Sequence, residues 1–171
     1  MHQTLIAVGA LAITITFALS TQRSELKTDR QRIVAETQIL AGQIATDMLT
    51  HISIQEFDAA TVDRDVDDPN ELTHPSGWGG GKTFAACDDV DDFHKMQTHV
   101  VNAGGGLDFE VEARVQYVDV DPANGRVTPS SRQTFHKEVR VMVRDRPRAS
   151  GGSMVHTLPT AIELQQIVSM S

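Results

Sequence analysis

The stretch that decides the fold is residues 1–54, MHQTLIAVGALAITITFALSTQRSELKTDRQRIVAETQILAGQIATDMLTHISI. From His2 to Ile54 it holds no proline and only two glycines, Gly9 and Gly42, so nothing interrupts a ladder of i to i−4 hydrogen bonds. One continuous α-helix is predicted, and at 1.5 Å per residue about 53 residues make a rod roughly 80 Å long. A globular domain of this size needs no helix of that length.

The rod changes character along its length. From Thr4 to Leu19 there is no charge, and Leu5, Ile6, Val8, Leu11, Ile13, Ile15, Phe17 and Leu19 fall on every face, as in a segment that meets no water. Gly9, with Ala7, Ala10 and Ala12, is small enough for close approach of a second helix. From Thr21 the apolar positions narrow to one stripe, Leu26, Ile33, Leu40, Ile44, Met48 and Ile52, opposite Arg23, Glu25, Lys27, Asp29, Arg30, Arg32, Glu36 and Asp47. That half is expected to lie on the rest of the protein by one face.

Beyond the helix the chain reads as a small antiparallel head. A loop rich in Asp, Pro and Gly runs from residue 58 to 81, with Trp78 expected to pin it to the body. Lys82–Cys87 is expected to be extended, and Asp88 or Asp89 to cap a helical turn through Phe93 and His94. Phe109, Val111, Ala113, Val115 and Tyr117 alternate with charged or polar neighbours, the period of a half-buried strand. Across a turn-forming loop, Asp121–Ser131, a second strand places Phe135, Lys137, Val139, Val141 and Val143 on one side. The tail from Met154 to Val168 reads as a third strand interrupted at Pro159, with Ile162, Leu164 and Val168 aligned. The expected class is α+β: a helix of about 50 residues packed on an antiparallel sheet of three to four strands, the stripe from Ile33 to Ile52 covering its apolar face. The expected segments are an apolar half-helix, 1–20, an amphipathic half, 21–57, and a head, 58–171.

Composition narrows the function. Acidic residues outnumber Lys and Arg by 23 to 15, and the net charge of −8 argues against nucleic acid or an anionic membrane surface as partner of the head. Cys87 is the only cysteine, so no disulfide forms within the chain, and it reads as a small buried apolar residue. The opening segment is read as a retained anchor rather than a cleaved secretory signal, because the usual positive region is missing ahead of the apolar core. There is no GxSxG, HExxH or CxxC pattern, and Gly79–Thr83 lacks the spacing of a phosphate loop. No catalysis and no resident cofactor are expected. Asp88, Asp89, Asp91 and Asp92 are the candidate metal ligands, with Asp63, Asp65, Asp67 and Asp68 upstream; Ca²⁺ takes six to eight oxygens from such loops. The alternative for them is a solvated acidic face with a helix cap.

An N-terminal helix that is apolar first and amphipathic later, followed by a loop and an antiparallel meander, resembles the type IV pilin and pseudopilin family. The resemblance is strongest over residues 1–55, and Cys87–His94, CDDVDDFH, is similar to a segment between helix and sheet in some pilin-like proteins. It implies a subunit held in the inner membrane by its apolar half-helix, then drawn by pilus assembly machinery into an extracellular filament of copies of itself. Leu5, Ile6, Val8, Gly9, Leu11, Ile13, Ile15, Phe17 and Leu19 would form the filament core. Two other roles stay open: a minor pilin or pseudopilin of a secretion system, and a membrane-tethered or secreted binding module that never polymerises.

Overall fold

The computed structural model describes residues 2–62, 64–79, 82–102, 107–146, 148–150, 153–155 and 158–170, with side chains for all of these except 2–8, 10, 12, 99, 101, 102, 148–150 and 153–155. The chain divides into two compact units, 1–37 and 38–171. A single α-helix, α1, His2–Ser53, supplies the first unit and the opening of the second.

In the first unit α1 bonds mainly to itself. Thr21 and Thr28 hydroxyls donate to the carbonyls of Phe17 and Ser24 one turn back, at 3.1 and 3.0 Å, and Arg32 pairs with Glu36 at 2.8 Å. The i, i+4 hydroxyl bonds let β-branched and hydroxylated residues sit in a helix at small cost.

The second unit is the α+β body expected from the sequence. After α1 come short 3₁₀ turns at Ala59–Thr61, Pro69–Glu71, Pro75–Gly77, Phe84–Ala86 and Asp91–Phe93, and then the strands. These are β1, Met96–Asn102; β2, Leu107–Val120; β3, Val127–Pro129; β4, His136–Asp145; β5, Arg148–Ser150; β6, Ser153–Val155; and β7, Ile162–Ser169. The main sheet has the order β1-β2-β4-β7, all antiparallel, with β3 folding back on the end of β2. β5 and β6 form a separate two-stranded ribbon.

Register follows the period-two pattern. Val111 faces Val143, Ala113 faces Val141, Val115 faces Val139 and Tyr117 faces Lys137 across β2 and β4. All eight of these side chains are buried. Ala41, Ala45, Met48, Leu49 and Ile52 of α1 cover them, and Leu40 and Ile44 pack at the margin. The opposite face of the sheet is charged: Arg140 bonds Glu138 and Glu163, and Arg144 bonds Glu110 and Glu112. Such pairs contribute little each, but they keep this face wet and the register unambiguous.

Several expectations shift. Ile33 and Leu26 are exposed and belong to the first unit; the expected stripe holds at Leu40, Ile44, Met48 and Ile52, joined by Ala41 and Ala45, whose missing bulk lets the helix backbone approach the sheet. Phe84–Ala86 is a 3₁₀ turn closed by the Ala86 amide on Thr83 O at 2.8 Å, not an extended piece. The loop Asp121–Ser131 is itself a small hairpin, with Asp121 Oδ1 accepting the Ala123 amide at 2.8 Å and Gly125 at φ +68°. The tail is interrupted at Pro159 as expected and β7 joins the main sheet, but its first piece, β6, pairs with β5 instead. β1 has no clean alternation in Met96–Asn102 and was not expected; as an edge strand it is held by β2 alone.

Ile52, fully buried, should cost about 2 to 5 kcal/mol when truncated to Ala, whereas Ile54→Ala, two residues on and exposed, should stay within about 0.5 kcal/mol. Urea unfolding of the two variants checks this contrast.

Candidate functional site

The alternation that buries Val139, Val141 and Val143 also drives Lys137 into the core, where its side chain is 0% exposed. A bare ammonium there is prohibitively costly unless it is paired and bonded. Three oxygens meet it: Asp91 Oδ1 at 2.6 Å, the Phe57 carbonyl at 2.6 Å and Asp58 Oδ2 at 3.0 Å. The rest of the shell is aromatic, with the ammonium 4.2 Å from the Phe57 ring centroid, 5.2 Å from Tyr117 and 5.5 Å from Trp78.

Each partner has its own support. Asp58 follows the end of α1 and caps the turn at Ala59–Thr61, its Oδ1 accepting the Ala60 amide at 3.0 Å and the Thr73 hydroxyl at 2.7 Å. Its Oδ2 accepts the Thr73 amide at 3.0 Å. Tyr117 donates to the Thr73 carbonyl at 2.9 Å, and Trp78 Nε1 donates to the same carbonyl at 3.3 Å; the buried Trp78 ring also lies 4.7 Å from that of Tyr117, so Trp78 does pin the loop to the body. Asp91 is held by its backbone: its carbonyl accepts the amides of His94 at 3.0 Å and Gly79 at 3.2 Å. Gly79 has φ +68°, and a Cβ there would stand 2.2 Å from the His94 carbonyl, so only glycine lets the two segments meet.

The two carboxyls of the triad are driven apart. Burial pushes Asp58 up, but the Ala60 amide, the Lys137 charge and the Thr73 hydroxyl outweigh it and hold this carboxylate down at about 2. Burial pushes Asp91 up to about 8, against the pull of the Lys137 ammonium and with the neighbouring Asp58 charge adding to the rise. The surroundings thus favour the anion at Asp58 and the protonated acid at Asp91.

The acidic run divides. Asp88, Asp89 and Asp92 come together, their carboxylate oxygens within 4.8 Å of one another, while Asp91 points into the core. Lys82 bonds Asp92 at 2.6 Å and Asp88 at 2.9 Å. Asp89 Oδ1 accepts the Asp92 amide at 3.0 Å, although the N-cap position of the Asp91–Phe93 turn is Val90, which offers no side-chain cap. Two carboxylates tied to an ammonium, with a third bonded to a backbone amide, fit an ion-pair network better than the six to eight oxygens of a calcium shell. Of the upstream aspartates, Asp65, Asp67 and Asp68 are exposed, and Asp63 lies outside the described residues.

The residues expected to drive assembly are open to solvent. Leu11, Ile13, Ile15, Phe17 and Leu19 are between 50% and 75% exposed, and nothing approaches the open side of Gly9 within 4 Å. The side chains of Leu5, Ile6 and Val8 lie outside the described residues. Among the described residues no helix is long and apolar enough to cross a membrane.

Lys137 and Asp58 were not singled out as site residues from the sequence, although one signal was present: a lysine in register on the apolar face of a strand must have anionic company. No family model, curated protein or solved structure matches the chain.

Asp58→Ala should lower the unfolding free energy by about 3 to 5 kcal/mol by leaving the Lys137 charge short of its anion, whereas Asp65→Ala on the surface should change it by under about 0.5 kcal/mol. A second expectation concerns pH. Burial holds the His94 imidazole, whose Nδ1 accepts the Val115 amide at 3.3 Å, below its ordinary value of 6.5. The unfolded chain therefore takes up this proton first, and stability present above pH 6.5 is lost as pH falls through the folded-state value. His94→Asn keeps an acceptor without a proton to gain, and denaturation measured from pH 7 downward should show a shallower early loss in that variant.

Proposed function

We propose that this protein is a structural subunit of an extracellular, type IV pilus-like filament, polymerising through its apolar N-terminal helix and carrying out no catalysis. The observation that carries this reading is the exposure of Leu11, Ile13, Ile15, Phe17 and Leu19 along one helix, while residues 38–171 build a closed core of their own. Large apolar side chains left in water mark an interaction surface, and each is worth about 1.5 to 3 kcal/mol when fully buried. Here they recur around the helix rather than along one stripe. A single docking partner would cover one side; sister helices packed around each rod cover them all.

The uncharged run from Thr4 to Leu19 is slightly shorter than the about 20 residues of a spanning helix. In this reading it is a temporary anchor in the inner membrane, released when the pilus assembly machinery passes the subunit into the filament. The head, with its negative charge and charged sheet face, is the part that meets water.

Electron microscopy of material sheared from cells expressing the full chain should show filaments with this protein as the dominant species. Replacing Ile13 and Phe17 together by Asp should abolish them, because an unpaired charge cannot be buried in a dry bundle, while the thermal unfolding of the head stays unchanged. A full-length chain that remains monomeric in detergent-free solution would point instead to a binding module that never polymerises.

A further inference from the structure

We propose that Lys137 and Asp91 condense into a side-chain amide, an internal covalent cross-link between β4 and the turn at Asp91–Phe93. This inference does not rest on the filament reading; it follows from the geometry of the buried triad.

An amine and a carboxyl become an amide when they are held in contact, shielded from bulk water, with a base at hand to take the proton from nitrogen. All three conditions meet here. Lys137 Nζ lies 2.6 Å from Asp91 Oδ1, so the nitrogen is already against the carboxyl it would attack. Both side chains are essentially buried, and Phe57, Tyr117 and Trp78 wall the site. Asp58 Oδ2, 3.0 Å from the same nitrogen, is the base, and its bonds to Ala60 and Thr73 keep it in place. Asp91 is the acceptor because its oxygens have no directed donor to hold them as an anion, and burial favours its protonated acid.

The step balances without any co-reactant. Asp58 takes a proton from the Lys137 ammonium, and the freed amine attacks Asp91 Cγ, forming the C–N bond as the carbonyl electron pair moves onto oxygen. Of the two protons nitrogen gives up, one is relayed by Asp58 onto the departing Asp91 hydroxyl, which leaves as water. Asp58 keeps the other. One ammonium, one carboxylic acid and one carboxylate become one amide, one carboxylic acid and one water. The product is neutral throughout, so the reaction also removes the buried charge pair whose desolvation the fold otherwise bears.

Intact mass spectrometry of the folded, purified full chain, followed by tryptic mapping, tests this directly. The expected product is a branched peptide joining residues 133–140 to residues 83–95, lighter than the two separate peptides by one water and uncut at Lys137. Asp91→Asn should lose ammonia instead of water, and Asp58→Asn should yield the two peptides unlinked. Wild-type protein that releases 133–137 as a free peptide at full mass overturns the proposal. A branch to residues 33–64 would mean that Asp58 is the acceptor and overturns the roles assigned here. A cross-link formed to the wild-type extent in Asp58→Asn overturns its part as the base.

Discussion

The head depends on one awkward choice: a lysine where the sheet asks for an apolar side chain. Because Lys137 shares its face with Val139, Val141 and Val143, its ammonium cannot reach water without breaking the register of β4 against β2. The surroundings must therefore come to it. Asp58 arrives from the end of α1, Asp91 from the acidic turn, and the Phe57 carbonyl from the segment between helix and loop. A long stretch with little regular structure is thereby tied to a rigid sheet, with Tyr117–Thr73 and Val115–His94 as further fastenings. Removing Asp58 leaves the Lys137 ammonium buried without its anion, which is why the site is more specifying than its net energy suggests.

The helix obeys two different rules along its length. Over residues 38–53 Ala41, Ala45, Met48, Leu49 and Ile52 are core residues of the head, and Ala41 and Ala45 set how closely the helix lies on the sheet. Over residues 11–33, Leu11, Ile13, Ile15, Phe17, Leu19, Leu26 and Ile33 are exposed. One unbroken ladder of backbone hydrogen bonds serves both, since helix formation is indifferent to which face will later be covered.

Much of this was legible in the residues. The absence of proline from His2 to Ile54 gave the helix, and strict alternation gave β2 and β4, including the inward position of Lys137. What failed was whatever depended on a partner distant in sequence. β1 carries no alternation of its own and exists because β2 offers it an edge. The stripe on α1 held at Leu40, Ile44, Met48 and Ile52, but it was drawn too far toward the N-terminus, to Leu26 and Ile33, and it passed over Ala41 and Ala45, which make close packing possible. The acidic run was read as a group, yet Asp91 parts from Asp88, Asp89 and Asp92 because an ammonium 46 positions further along the chain, at Lys137, draws it inward. Adjacent letters in a 3₁₀ turn point in different directions, and only the fold says which of them meets the core.

The most direct measurement of this dependence is a double-mutant cycle in the full-length protein that combines Lys137→Met with Asp58→Asn. If the loop is fastened to the sheet through this pair, the two substitutions will be coupled by about 1 to 3 kcal/mol, the double variant losing much less than the sum of the singles. Simple additivity of the two losses would show that the lysine and the aspartate stabilise the head independently, and would contradict the central place given to this buried pair.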